Sequence, residues 1–218
     1  MWTPFARRAL QPRLALIVDA LARWGVEPNT LTFAGVWLHA PVVWLLARHT
    51  AAWPAGVALA LAGAFDSLDG ALARATGRTS PFGAFLDSVV DRVSESLICC
   101  GLVLRAYLIG QWPLAIWACV MLAGSLLVSY VRARGAGIGV DTKVGWFGRF
   151  ERVIVLIAGL LSGWLLPAVI IIAVGSWATA IARAIDVWRR APRAALSDAT
   201  ALGQAGPSDD PMAAEVRA

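Results

Sequence analysis

The sequence predicts an all-α integral membrane protein: six transmembrane helices preceded by an N-terminal amphipathic interfacial helix. Three observations carry that expectation. The 218 residues are 59% hydrophobic and only 15% charged, with a mean hydropathy of +0.68, where a soluble chain has roughly 45–50% and about 25%. Six stretches approach the roughly 20 apolar residues a spanning helix needs. And 17 of the 19 Lys and Arg residues fall on one side of a six-span arrangement, as the positive-inside rule requires. This composition argues against a disordered chain, a coiled coil or a disulfide scaffold. The net charge of +5 suits an anionic membrane face, and with this hydropathy no nucleic-acid partner is expected.

The elements follow in order. Arg7, Arg8 and Arg13 precede a short apolar run that Asp19 ends, so the start does not read as a cleavable signal. Leu14, Ile17, Val18 and Leu21 recur at i, i+3, i+4 and i+7, which makes one helix face, lying on a membrane surface or packed in the ordinary way. Residues 1–27 are thus an arm with an amphipathic juxtamembrane helix. The six spans fall near 30–48, 52–75, 83–108, 112–134, 150–164 and 166–188, within a domain of residues 28–190. The connection from Gly135 to Arg149 is Gly-rich and polar, and residues 191–218 have no apolar period and read as a disordered cytoplasmic tail. Only Arg48 and Arg105 fall on the far side. Both termini and the even-numbered connections are therefore cytoplasmic.

Cys99, Cys100 and Cys119 form no framework and read as small buried hydrophobes. His39 reads as a satisfied helix residue and His49 as a loop residue; neither has metal-ligand spacing.

The informative residues are acids in apolar surroundings. Asp66, Asp69, Asp87, Asp91 and Glu95 fall inside or at the ends of the second and third spans. A carboxylate at the centre of a spanning helix costs about 2.5–3.5 kcal/mol on insertion scales, so these must face a wet cavity, a cation or each other. Asp66 and Asp69 are i, i+3; Asp87 and Asp91 are i, i+4. Each pair lies on one helix face. Antiparallel helices could bring the pairs together, and a hard divalent cation, Mg²⁺ or Mn²⁺, would relieve their repulsion. Four carboxylates could hold two such ions. Gly70 and Gly83 flank the acids; each fits either close approach of a ligand or helix packing.

The stretch DSLDGALARATGRTSPFGAFLDSVVD, Asp66 to Asp91, matches D-x2-D-G-x2-A-R-x8-G-x3-D-x3-D at Asp66, Asp69, Gly70, Ala73, Arg74, Gly83, Asp87 and Asp91. That pattern resembles the CDP-alcohol phosphotransferase family, and Pro28, Asn29 and Thr32 resemble the family's PNxxT stretch before the first span. The resemblance covers roughly residues 12–190 and implies metal-dependent transfer of a phosphatidyl group from CDP-diacylglycerol to an alcohol, with release of CMP. It implies that Asp66, Asp69, Asp87 and Asp91 hold two divalent metals, with Asp91 also the general base. Asn29, Asp66, Asp69, Gly70, Ala73, Arg74 and Gly83 would meet the donor.

The run SYVRARGAGIGVDTKVGWFGRFER, Ser129 to Arg152, and DSVVDRVSE from Asp87 are similar to stretches of phosphatidylinositol phosphate synthases, although RFER lacks the usual Pro and Glu95 replaces an Asp. This similarity implies inositol phosphate as acceptor, met by Ser129, Arg132, Arg149, Arg152 and Arg183; glycerol phosphate or another small alcohol is the alternative. It also implies a prokaryotic cytoplasmic membrane, lipid partners and a homodimer, which Gly- and Ala-rich faces favour. Intramembrane acids also serve cation transporters, but here they do not recur in the two halves as an inverted repeat would have them.

Overall fold

The computed structural model describes residues 16–48 and 51–204, and every regular element among them is helical. After α1 (residues 16–23) come α2 (Pro28–Trp37), α3 (His39–Leu46), α4 (Trp53–Ala75), α5 (Pro81–Leu108), α6 (Trp112–Ala136), α7 (Arg149–Ser162) and α8 (Leu165–Gln204). Arg7, Arg8, Arg13, Leu14 and His49 lie outside the described residues. In α1, Val18 is buried while Leu16 and Ile17 are exposed.

The starts of the long helices are written in proline. Pro54, Pro81 and Pro113 stand in the first turns of α4, α5 and α6, where their missing N–H is no loss. Ser80 adds a side-chain cap to α5, accepting from the Gly83 N–H at 3.0 Å. Gly163, in the left-handed region at φ +80°, ends α7. Two boundaries differ from expectation. The first span breaks at Leu38 between α2 and α3, because Pro41 cannot donate to the carbonyl four residues back and crowds it. At the other end, α8 runs on to Gln204, so residues 191–204 are helical rather than irregular. Five alanines and two leucines in that stretch have high helix propensity even without an apolar period. Residues 205–218 lie outside the described ones.

Among the described residues four helical stretches are long and apolar enough to cross a membrane: Pro28–Leu46, Trp53–Ala75, Trp112–Ala136 and Leu165–Ala191. α5, at 28 residues, is long enough but carries Asp87, Asp91, Arg92, Glu95 and Arg105; α7 has 14 residues. The core comprises Val42, Leu46, Leu59, Leu102, Leu114, Leu160, Val169 and Ile172, nearly all without solvent exposure. Trp44, Trp53, Trp112 and Trp164 are exposed at the helix ends remote from the aspartates, and Trp24, Trp146 and Trp188 are exposed at the opposite side of the chain's long helices. Trp is enriched at both membrane–water boundaries. At the remote end Arg105 donates to the carbonyl of Arg48 at 3.1 Å, and the Arg48 guanidinium lies 4.1 Å from the centre of the Trp44 ring. The Arg105 side chain thus holds the Arg48 backbone at the end where both cations were expected.

Helix pairing positions the site. α6 packs along α8, and α7 packs on both α4 and α8. α2 and α3 each pack on both α4 and α5, whereas α4 and α5, successive in the chain, do not pack closely on each other. A cleft separates α4 from α5, with α2 and α3 on one side and α7 on the other. Of the cysteines, only Cys99 is buried, its thiol 3.3 Å from the Ala118 carbonyl; Cys100 and Cys119 are exposed. They lie on outward faces of α5 and α6, where an apolar side chain can meet lipid rather than core. His39 is buried and its Nδ1 lies 3.0 Å from the Gly35 carbonyl, as a satisfied helix residue should.

Candidate active site

Two cavities meet in the cleft. The smaller, about 190 Å³, is lined by Asn29 and Thr32 of α2, Asp69, Gly70, Ala73 and Arg74 of α4, the Arg78–Ser80 turn, and Gly83 and Asp87 of α5. Every residue expected to meet the donor except Asp66 is in that wall. The larger, about 420 Å³, is lined among others by Asp66, Asp69, Asp87, Glu95 and Arg149. Asp69, Gly70, Arg74 and Asp87 belong to both, so the acidic stretch is a shared wall.

Three of the four aspartates are held by named partners, two of them by one arginine. Asp69 is buried and accepts a hydrogen bond of 2.6 Å from the Thr32 hydroxyl, which ties α2 to α4. Asp66 lies against α2 at Gly35, where a Cβ would come within 2.7 Å of Asp66 Oδ1. Only a glycine permits that approach. Asp66 Oδ2 accepts from Arg149 at 2.8 Å, and Asp91 Oδ1 lies 2.7 Å from the same guanidinium. Arg149 therefore spans from α7 to both α4 and α5. Arg92 lies 3.5 Å from the other Asp91 oxygen.

The remaining arginines hold the α6–α7 connection. Arg152 pairs with Glu95 at 2.5 Å, both nearly buried, and donates to the Phe147 carbonyl at 3.3 Å. Arg183 donates to the carbonyls of Val144 and Val128, each at 2.9 Å. The Phe147 N–H donates to the Thr179 hydroxyl at 3.3 Å. Gly145, at φ +107°, lies so close to Thr179 that a Cβ would collide with it. Arg132, half exposed, pairs with Asp141 at 3.4 Å. Ser129, Arg132, Arg152 and Arg183 line neither cavity, and Ser129 makes only a 3.5 Å contact with the Ser125 carbonyl of its own helix. Yet the fields of Arg132 and Arg152 both reach Arg183.

Among the described residues no three acids, histidines or cysteines are grouped tightly enough to hold a metal ion alone. The separation of α4 from α5 and the interposed Arg149 account for that. The donor set still fits a hard divalent cation in kind. It is all carboxylate, and Asp66 and Asp91 already converge from two helices on one positive group.

Sequence reasoning left Thr32, Gly35, Arg78, Thr79, Ser80 and Ser94 without roles. Ser80 was findable, since Ser before Pro at a helix start is a capping signature. Gly35 carries no local signal, because its partner Asp66 is 31 residues away. Ser94 is buried in the wall of the larger cavity, and its Oγ has no hydrogen-bond partner among the described residues.

Residues 26–188 match the family model described as CDP-alcohol phosphatidyltransferase. The archaetidylinositol phosphate synthase of Pyrococcus horikoshii is 36% identical over 187 residues, covering 84% of this chain and 95% of that protein. The crystal structure of Mycobacterium tuberculosis phosphatidylinositol phosphate synthase with CDP-DAG bound superposes with a TM-score of 0.75 at 29% identity, covering 80% of this chain and 93% of the other. The same enzyme in complex with manganese and citrate gives 0.73 at 28%, covering 80% and 88%. With its acidic stretch in the wall of both cavities and a match over most of its length, this chain belongs to the CDP-alcohol phosphatidyltransferase family and is a transferase of the membrane.

Proposed function

We propose that this protein transfers a phosphatidyl group from CDP-diacylglycerol to inositol phosphate and releases CMP. The observation that carries the reading is the shared acidic wall: one cavity beside it is lined by every residue expected to meet the donor but Asp66, and Arg149 lines the other. The donor's cytidine diphosphate lies in the smaller cavity, against Asn29, Gly70, Ala73, Arg74 and Gly83. The acceptor enters the larger one. Arg149 meets its phosphate first, backed by Arg132, Arg152, Arg183 and the Ser129 hydroxyl. An assembly of guanidiniums suits a phosphate because each offers several donors in a planar fork.

Asp66, Asp69, Asp87 and Asp91 hold two divalent ions, Mg²⁺ or Mn²⁺, which when bound neutralise the pyrophosphate and polarise its oxygens. The protein's own part is positioning and proton transfer. Asp91 accepts the proton of the acceptor hydroxyl. The acceptor oxygen then bonds to the lipid-bearing phosphorus as that phosphorus loses its bond to the CMP oxygen. Thr32 keeps Asp69 aimed at the shared wall, and Glu95, through Arg152, keeps the start of α7 in place.

In the membrane, α5 and α7 complete six spans with the four apolar stretches, and α1 lies at the interface as part of the arm of residues 1–27. Residues 28–190 form the catalytic domain and a tail follows. Both termini and the cleft face the cytoplasm of a prokaryotic cell, and two copies associate through outward faces. The test is purified protein given CDP-diacylglycerol with inositol phosphate, glycerol phosphate, inositol or serine, each with Mg²⁺ or Mn²⁺, while CMP is measured. Inositol phosphate is expected to give the fastest turnover. Turnover with glycerol phosphate and none with inositol phosphate would replace the acceptor assignment.

A further inference from the structure

Arg149 stands where a cation is needed. Its two terminal nitrogens lie 2.8 Å from Asp66 on α4 and 2.7 Å from Asp91 on α5. These helices do not pack closely on each other, so the guanidinium bridges the cleft itself. Arg149 is the first residue of α7, and that end of α7 is fixed by Arg152, which grips Glu95 and the Phe147 carbonyl. The long Arg149 side chain can swing while its backbone stays.

We propose that Arg149 is an internal counter-ion for the metal-free site, displaced when divalent cations bind, so that cation loading and presentation of Arg149 to the acceptor phosphate are one exchange. The proposal rests on the reading of the four aspartates as metal ligands. A carboxylate oxygen that accepts a short charge-assisted hydrogen bond from Arg149 cannot give the same lone pair to a metal. Four carboxylates without any cation would repel strongly across the cleft; Arg149 offsets part of that repulsion until metal arrives. Once released, the guanidinium remains beside the larger cavity, which it lines, and its natural partner there is an anion. Acceptor phosphate is then bound well only by a protein already holding its cations, which disfavours unproductive acceptor binding at an empty metal site.

The test measures Mn²⁺ binding to the full chain in detergent by electron paramagnetic resonance, with no substrates present. Arg149→Gln is expected to bind Mn²⁺ about fivefold more tightly than the wild type, because a competing ion pair has been removed. Lys143→Gln removes a mostly exposed charge paired with Asp141 and is expected to stay within about twofold. In EDTA, Arg149→Gln should melt below the wild type, and added Mn²⁺ should raise its melting temperature by more. A purely structural arginine would lower the melting temperature without tightening Mn²⁺. Unchanged or weaker Mn²⁺ binding in Arg149→Gln overturns the proposal. If that variant does not fold, Arg149→Lys keeps the charge but loses the two-pronged bridge, and unchanged Mn²⁺ affinity there overturns it equally. Folded wild-type protein that binds no Mn²⁺ would instead remove the metal reading, and the exchange with it.

Discussion

The two cavities share a wall but are built in different ways. The smaller is lined largely by short polar side chains and small residues from α2, α4, the turn and the start of α5, with Arg74 and Arg78, and the hydrogen bond from Thr32 to Asp69 ties two of its helices. The larger is bounded by ion pairs: Arg149 with Asp66 and Asp91, and Arg152 with Glu95. A wall of small groups fits a ligand of fixed shape, such as a nucleotide. A wall of paired charges can exchange partners, and it suits a site that must take up cations and an anion in turn. Two arginines outside the lining hold backbone: Arg183 carries Val128 and Val144, and Arg152 carries Phe147. Substitutions in the second region will therefore mix binding with structure more than those in the first.

Three substitutions would break or sharpen that contrast. The largest effect belongs to Asp91, which lines neither cavity but is held by Arg149 of the larger one. Asp91→Asn should lower CMP release by about 10³-fold or more, within the upper range for loss of a general base, while CDP-diacylglycerol still binds. Near-normal turnover would remove Asp91 from the base role. Next is Gly35→Ala, where the new methyl meets Asp66 Oδ1. Ala favours helix over Gly by about 1 kcal/mol, so the variant should lose none of its helix content by circular dichroism. Activity should nevertheless fall by about 10²-fold, as for a catalytic group displaced by an ångström; full activity would mean that Asp66 need not lie against α2. The smallest effect is expected from Arg132→Ala. Its pair with Asp141 is half exposed, so the KM for a phosphorylated acceptor should rise only about 3- to 10-fold, with the KM for CDP-diacylglycerol unchanged. A rise in the donor KM instead would place Arg132 on the wrong side of the wall.

The same contrast explains what could be read from the sequence. Most of the smaller cavity's wall lies within one run of 26 residues, Asp66 to Asp91, so helical spacing and pattern single that run out. The prolines that start α4, α5 and α6 made those helix starts equally readable. The residues proposed for the acceptor come from α6, α7 and α8, and their arginines are legible in the sequence only as a basic cluster. Nothing local says that Arg183 turns to Val144, that Arg152 finds Glu95, or that Arg149 reaches two helices. Spacing also could not show that α4 and α5 stand apart: carboxylates on two faces leave open whether the faces touch or flank a cleft. The break at Leu38 was written in Pro41 but was hidden by an otherwise continuous apolar run.

The pair formed by Arg48 and Arg105 at the remote end works as a depth gauge. Arg105 and Asp91 are on the same helix, α5, fourteen residues and so about 21 Å apart along its axis. With the two arginines and Trp44 at one boundary of a hydrocarbon layer about 30 Å thick, Asp91 comes to rest about 9 Å inside the other. On that placement the cleft would reach below the level of the lipid headgroups. A donor need not be lifted out of the bilayer to react; its phosphates sink into the notch while its chains stay at their ordinary height. Moving Arg105 one helical turn along α5 would shift that depth by about 5 Å.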